Sequence, residues 1–127
     1  MKIYIYKTYE EWFDDKPTEV LEGEVNSVYN GVFVIDTVVD YKNYRQVLSL
    51  KNNFAIIYVL PQGFLCYAKE INVYSNVASW QNSTPEITFK GEVCEDQCGD
   101  SHIVFVTEDG FKQCISLDGI YAVTYER

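Results

Sequence analysis

Residues 46–58 (QVLSLKNNFAIIY) and residues 113–125 (QCISLDGIYAVTY) decide the fold, because they carry one pattern twice. Aligned without a gap, the two stretches share Gln, Ser, Leu, Ala and Tyr in register. The tripeptide GEV precedes each stretch, at residues 23–25 and 91–93, and an apolar, strand-like run follows each tripeptide. We therefore predict that the chain contains two copies of one small β unit.

The repeat also predicts the domain organisation. A chain of 127 residues suits one domain, or two very small ones that share a core. We expect one compact domain over residues 1–127, with pseudo-repeat halves at 18–75 and 86–126 and a polar linker near 76–85. The sequence leaves open whether the halves pack as a pair of barrels or as one continuous sheet.

Short alternating segments separated by turn residues predict a mainly β, β-rich α+β fold built from antiparallel strands. Residues 2–6 (KIYIY) alternate as a first strand, and residues 19–28 read as a second. Asn30-Gly31 is typical of a two-residue hairpin turn, in which both residues adopt positive φ. Residues 44–50 and 54–60 read as the next strand pair, and residues 61–63 (PQG) as another turn.

One short helix is predicted near the N-terminus. Thr8-Tyr9-Glu10-Glu11 has the form of a capping box, in which the Thr hydroxyl accepts a hydrogen bond from a backbone N–H of the first turn. Acidic residues in that turn also suit the positive end of the helix dipole. Pro17 prevents continuation, so the helix is expected over residues 9–14.

The second copy resembles a known architecture. It resembles the meander of SH3-like or Sm-like small barrels in the order of its successive segments, which are GEV, VFV, EDG, CISL and YAVTY. The resemblance implies two antiparallel, barrel-like β units. Sm-like proteins that bind RNA use basic and aromatic loop residues, whereas the corresponding loops here are acidic, which disfavours RNA binding.

The charge is strongly negative and segregated. The formal net charge is −9, with acids concentrated in residues 10–24 and 92–118. Direct binding to nucleic acid or to an anionic membrane is disfavoured, because neutralising phosphates requires Lys and Arg. The start of the chain lacks the apolar core of a signal peptide, so we expect a cytoplasmic protein whose four cysteines are reduced thiols.

Catalytic motifs are lacking. Neither a GxGxxG nor a GxxxxGK[ST] phosphate loop occurs, and the single histidine, His102, has no oxyanion-hole glycine pattern beside it. We therefore expect no enzymatic activity and no cofactor. One alternative stays open: three thiols and an imidazole suit tetrahedral zinc, and a zinc or thiol site would use Cys94, Cys98, His102 and Cys114.

Acidic surfaces beside aromatic residues indicate a binding protein. In size, acidity and absence of enzymatic motifs the chain resembles phage-encoded anti-defence proteins, including anti-CRISPR proteins and DNA mimics. That resemblance implies a small inhibitor, acting in the host cytoplasm if phage-encoded, that docks on the basic groove of a nuclease or other nucleic-acid-handling protein and competes with nucleic acid. The expected partner-binding residues form a first acidic patch and a second acidic patch. The first comprises Glu10, Glu11, Trp12, Asp14, Asp15 and Glu19, and the second comprises Glu95, Asp96 and Asp100.

Two further functions fit the same sequence. An immunity protein that neutralises a cationic toxin would use the same electrostatic attraction toward a different partner. An assembly subunit with exposed strand edges would instead form a high-order oligomer, whereas a binding protein is expected to be a monomer or a dimer. The sequence does not identify the partner or say whether the acidic patches form one surface.

Overall fold

The computed structural model describes residues 1–60 and 68–127 and confirms a mainly β protein. The described residues form eleven β-strands and two short α-helices, with one-turn 3-10 helices at Leu50–Asn52 and Glu95–Gln97. In chain order the elements are β1 Lys2–Tyr6, α1 Tyr9–Phe13, β2 Glu19–Glu22, β3 Glu24–Tyr29, β4 Val32–Val39, β5 Lys42–Ser49, β6 Ala55–Val59, β7 Lys69–Tyr74, α2 Val77–Gln81, β8 Ile87–Val93, β9 His102–Thr107, β10 Phe111–Ser116 and β11 Ala122–Tyr125. The predicted turn at 61–63 lies outside the described residues.

The strands form two antiparallel sheets. The large sheet has eight strands in the order β11-β7-β8-β9-β10-β6-β1-β2, and the small sheet has three in the order β3-β4-β5. The predicted single strand at 19–28 is divided at Gly23, where the chain leaves the large sheet for the small one. A Cβ atom at Gly23 would lie 2.5 Å from the carbonyl oxygen of Asp36, so glycine allows the two backbones to approach there.

Two predictions about strand arrangement are wrong. The strands at 44–50 and 54–60 do not pair with each other, since β5 pairs with β4 whereas β6 pairs with β1 and β10. Leu50, only 4% exposed, begins the 3-10 turn that carries the chain from one sheet to the other. Neither sheet closes into a barrel within the described part of the chain. A barrel would require the two edge strands of the large sheet to pair with each other, but among the described strands β2 pairs with β1 and β11 pairs with β7.

The central strands β6, β9 and β10 of the large sheet are buried on both faces, and each face belongs to its own core. Alternation along the strands decides the face: Ile57 belongs to the first core and its neighbour Ile56 to the second. The first core lies beneath α1 and includes Trp12 and Phe105. The second core lies between the large and the small sheet, where Phe33 of β4 is fully buried.

Two parts of the large sheet have equivalent pairing. β1 lies between β2 and β6, and β7 lies between β8 and β11. The register is the same in both places, with residue numbers offset by 67 or 68. The pairs are Ile3 with Leu21 and Tyr58, and Ile71 with Phe89 and Tyr125.

The helices follow the same offset. α1 is the predicted N-terminal helix, capped by the Thr8 hydroxyl, which accepts from the Glu11 N–H at 3.2 Å. α2 begins 68 residues later, in the segment predicted to be a polar linker. The Asn76 side chain makes that helix possible, because it caps the first turn by accepting from the Ser79 N–H at 2.9 Å.

Candidate binding surface

The first acidic patch is carried by α1, the turn after it and the start of β2. Glu10, Asp14, Asp15 and Glu19 are exposed, whereas Glu11 is half-buried and its carboxylate accepts a hydrogen bond from the Thr18 hydroxyl. These positions follow from the cap at Thr8, which starts the helix, and from the hydrogen bond of the Thr18 N–H to the Ile5 carbonyl, which returns the chain beside β1.

Trp12 lies in the first core and not on the surface. It is 5% exposed, and its ring lies 5.4 Å from Phe54 and 5.8 Å from Phe89. Its indole N–H donates to the Gln113 side-chain oxygen at 3.1 Å. The aromatic side chain that α1 does present to solvent is Phe13, which is 45% exposed. A partner that contacts α1 therefore meets Phe13.

The second acidic patch surrounds the 3-10 turn between β8 and β9. Glu95 and Asp96 lie in that 3-10 turn, Asp100 lies in the turn just before β9, and all three are exposed. The Glu95 carboxylate is partly neutralised, because the Arg127 guanidinium lies 3.1 Å from it and the Tyr125 hydroxyl donates to it at 3.2 Å.

Sheet topology brings Glu10 and Glu19 of the first acidic patch to the same end of the large sheet as the second acidic patch. β1 runs antiparallel to β6, β6 to β10, and β10 to β9. The last residue of β1 therefore lies at the end where β9 begins. The two strands are three steps apart, or about 14 Å across a flat sheet. Lys7 and Lys51 lie at this end too, near Glu10 and Asp118.

Most of the patch carboxylates have no ion-pair partner. Within residues 1–60 and 68–127, the ion pairs are Met1 N-terminus with Glu22, Arg45 with Asp36, and Arg127 with Glu95. Glu95 is thus the one patch residue with such a partner in that part of the chain. Apart from the half-buried Glu11, the remaining patch carboxylates are exposed to solvent, where salt screens their charge over about 10 Å at 0.1 M.

Within residues 1–60 and 68–127, the thiols of Cys94, Cys98 and Cys114 and the imidazole of His102 are not grouped as metal ligands. No group of three or more potential ligands occurs among the described residues. The Cys98 sulfur instead accepts from the Val104 N–H at 3.3 Å, and Cys114 is 1% exposed. Burial raises the pKa of the Cys114 thiol to about 12, which disfavours the thiolate that zinc requires. The fourth thiol, Cys66, lies outside the described residues.

His102 is a core residue with an unusual environment. It is 4% exposed, and its Nε2 atom has no hydrogen-bond partner among residues 1–60 and 68–127. Two glycines lie against the imidazole: a Cβ atom at Gly99 would be 2.5 Å from His102 Cε1, and one at Gly31 would be 3.5 Å from Nδ1. The ring therefore fills the space beneath two backbone segments.

A groove beside α1 was not predicted from the sequence. It has a volume of about 410 Å³ and opens between α1, β1, β6, β8 and β10. We call it the aromatic groove; its lining residues are Tyr4, Tyr6, Trp12, Phe13, Asp15, Ile57, Ile87, Phe89, Asp109, Phe111 and Gln113. The high aromatic content of the chain, 16%, was the available signal, but these residues are far apart in sequence.

The two carboxylates of the aromatic groove are oriented by neighbouring hydroxyls. The Tyr6 hydroxyl donates to Asp15 at 2.9 Å, and the Thr107 hydroxyl donates to Asp109. Burial and the hydrogen bond to Asp15 raise the pKa of Tyr6 above its ordinary value, so that the hydroxyl stays a donor. Asp15 thus belongs both to the first acidic patch and to the groove.

Comparisons of this chain with protein-family models, with curated proteins and with solved structures found no match. No helix in the described ranges combines the length and apolar character needed to cross a membrane. The functional inferences below therefore rest on the geometry and charge of the surfaces.

Proposed function

We propose that this protein is a small acidic inhibitor that docks on the basic groove of a nucleic-acid-handling protein and competes there with nucleic acid. The observation that carries the proposal is that Glu10, Glu19 and the second acidic patch lie at one end of the large sheet. Most of the patch carboxylates are exposed, and among the described residues they have no ion-pair partner. A basic groove built for phosphates gains affinity when bound counterions are released, and carboxylates can release the same ions.

The fold suits this role because it holds the charges in place before binding. The patches are attached to strands and short turns of a sheet whose central strands are buried on both faces. Less conformational entropy is then lost on docking than with a flexible acidic tail. Phosphates along DNA supply one charge per about 1.7 Å of duplex axis, so a competitor needs several carboxylates over a broad surface.

We also propose that the chain contains two copies of a strand–helix–strand unit, one formed by β1, α1 and β2 and the other by β7, α2 and β8. The equal registers around β1 and β7 support it, as does the offset of 68 residues between α1 and α2. Asp15 and Ser83, at the same offset, both have positive φ, 54° and 56°. The copies have diverged in charge: α1 has Glu10 and Glu11 in its first turn, whereas α2 has no acid there.

Affinity capture from host lysate tests the proposal. The tagged protein is washed at low and high salt, and bound proteins are identified by mass. We expect a basic nucleic-acid-binding protein that is released at high salt and that nucleic acid displaces. If the captured protein is a cationic nuclease toxin, this protein is an immunity protein instead. If the partner stays bound equally at low and at high salt, the electrostatic mechanism is contradicted.

Two matched variants locate the docking surface. The patch variant carries Glu10→Gln, Glu19→Gln and Asp100→Asn. The control variant carries Glu24→Gln, Asp40→Asn and Glu108→Gln, all exposed residues outside both patches. Both variants have the same net charge, so only the position of the lost charge differs. We expect the patch variant to bind the captured partner at least about tenfold more weakly than the control variant. Equal weakening would show that general charge, and not this surface, governs binding.

A further inference from the structure

We propose that the aromatic groove receives an arginine side chain of a protein partner. The lining combines aromatic and aliphatic surface with two carboxylates, Asp15 and Asp109, and none of the described residues that line it is a lysine or arginine. A cavity of about 410 Å³ lies within the range of pockets that enclose ligands, which is about 300–1,000 Å³. Its charge favours a cation, and its aromatic walls favour a cation that can also stack.

Arginine fits this lining better than a compact ammonium group does. Its guanidinium is planar, is weakly hydrated, donates hydrogen bonds in a fixed fork and stacks on aromatic faces. Phe13 of α1 is 45% exposed and supplies such a face at the groove, while Phe89 and Phe111 contribute from β8 and β10. The guanidinium would thus lie among aromatic rings, with its donors directed to carboxylate oxygens.

The carboxylates are arranged before any ligand arrives. Asp15 follows α1 with a φ of 54°, and the Tyr6 hydroxyl holds its Oδ1 atom at 2.9 Å. Asp109 lies in the turn between β9 and β10, where the Thr107 hydroxyl donates to its Oδ1 atom. An ionised carboxylate has about four acceptor positions, so each retains capacity for a charge-assisted bond to arginine.

The floor of the groove is rigid. Trp12 and Gln113 are 5% and 7% exposed, and the hydrogen bond between their side chains fixes both. The indole N–H is therefore a local reporter: it lies in the groove lining, yet it is already bonded and is not itself required for binding a cation.

That the arginine belongs to a protein rests on the proposed function, whereas the affinity of the groove for a guanidinium group does not. The experiment therefore uses short peptides and no partner. Acetylated and amidated Gly-Gly-Arg-Gly-Gly is titrated into the ¹⁵N-labelled protein, and the Trp12 indole N–H resonance is followed by NMR. The Trp80 indole, which is absent from the groove lining, is the internal control.

We expect a saturable shift of the Trp12 resonance with a dissociation constant in the range of about 1 mM, and no shift of the Trp80 resonance. Asp15→Asn combined with Asp109→Asn should weaken binding at least about tenfold. Asn keeps the shape of Asp and tolerates the positive φ at position 15. Asp14→Asn, a neighbouring carboxylate outside the groove lining, should leave binding unchanged.

Three outcomes would overturn the assignment. The first is no Trp12 shift up to about 20 mM peptide, a concentration at which even a weak site would be largely filled. The second is an equal response to the neutral peptide Gly-Gly-Gln-Gly-Gly, and the third is equal affinity for Gly-Gly-Lys-Gly-Gly. Because no partner is present, failure of the proposed function leaves this titration unaffected. Conversely, partner capture that survives the Asp15→Asn, Asp109→Asn double change would show that docking does not use the groove.

Discussion

The indole N–H of Trp12 donates to the side-chain oxygen of Gln113 at 3.1 Å and so joins α1 to β10 across 101 residues of chain. Both side chains are buried in the first core region. The equivalent tryptophan of α2, Trp80, is 44% exposed and lies against Tyr121 at 5.5 Å. The two tryptophans thus occupy the same position in their helices, but only Trp12 anchors its helix to the core through a buried side chain.

Trp12→Phe should lower the free energy of unfolding by about 2 kcal/mol, because it removes the hydrogen bond, leaves the buried Gln113 oxygen without its donor and opens a small cavity. Trp80→Phe is the matched control and should change stability by about 0.5 kcal/mol or less. Urea unfolding followed by circular dichroism measures both. Equal losses in the two variants would contradict the anchoring role of Trp12.

The close approach of the β8 and β9 backbones requires glycine at position 91. Gly91 pairs with Lys69 of β7 and with Thr107 of β9, at the point where β8 contacts both neighbours. A Cβ atom there would lie 2.0 Å from the Val106 carbonyl oxygen and 2.9 Å from the Thr107 Cα atom. Gly91→Ala should therefore destabilise the protein by about 3 kcal/mol or more, since backbone atoms of a central strand must move.

Gly119→Ala separates this clash from ordinary backbone strain. Gly119 has a φ of +85°, and an added Cβ atom would lie more than 4 Å from the nearest neighbouring atom in the part of the chain that the structure describes. Gly119→Ala should lower the free energy of unfolding by only about 1 kcal/mol, which is the cost of placing a residue with a Cβ atom in the left-handed conformation. The two urea midpoints are compared directly, and a loss at Gly91 no larger than the loss at Gly119 would rule out the close approach of β8 to β9.

Local features of this fold were predictable from sequence, whereas strand partners were not. The turn at Asn30-Gly31 is confirmed, with φ of 50° and 75°, because its chemistry resides in two adjacent residues. The cap at Thr8 is confirmed for the same reason. The pairing of β6 with β1 and β10 depends on contacts distant in the chain, and no turn signal between β5 and β6 encodes it.

The candidate site shows the same limit. The acidic residues are visible in the sequence, but the position of Glu10 and Glu19 at the same end of the sheet as the second patch follows only from strand order. In a helix of five residues the neighbours Trp12 and Phe13 give no periodicity that distinguishes the buried side chain from the exposed one. The aromatic groove draws residues from α1 and four strands, so no local pattern predicts it.

Alkaline pH should destabilise the protein through groups buried in the second core. Burial, followed by the nearby Cys114 and Cys94, raises the pKa of Tyr58 from 10.0 to about 12. Burial and Cys98 raise the pKa of Cys114 from 9.0 to about 12. Since both folded pKa values lie above the unfolded ones, the stabilisation is complete below about pH 9 and is lost as the pH rises toward 12.

Tyr58→Phe isolates the tyrosine contribution. Without the phenol, stability should decline less steeply between about pH 10 and 12, and the difference should not exceed about 3 kcal/mol. Tyr29→Phe, at a side chain that is 82% exposed, should leave the pH profile unchanged. Unfolding by urea across this pH range gives the slopes. If Tyr58→Phe and the unaltered protein decline in parallel, the tyrosine does not titrate as its burial implies.

The tip of the β4–β5 hairpin offers a stabilising change. Val39 pairs with Lys42, which leaves Asp40 and Tyr41 as a two-residue turn with φ of 50° and 63°. Aspartate tolerates this left-handed conformation, but a bulky aromatic residue is strained in it. Tyr41 is also fully exposed, at 102%, so its removal sacrifices no packing. Tyr41→Gly should therefore raise the free energy of unfolding by about 1 kcal/mol.

Tyr41→Ala is the control that separates strain from the loss of an exposed tyrosine. Alanine removes the ring but keeps the Cβ atom that makes positive φ unfavourable, so its effect should stay within about 0.5 kcal/mol. If Tyr41→Gly stabilises the protein and Tyr41→Ala does not, the strain resides in the backbone of residue 41. Equal gains for alanine and glycine would instead place the cost in the aromatic side chain, and a loss with glycine would mean that the tyrosine stabilises the hairpin through a contact of its own.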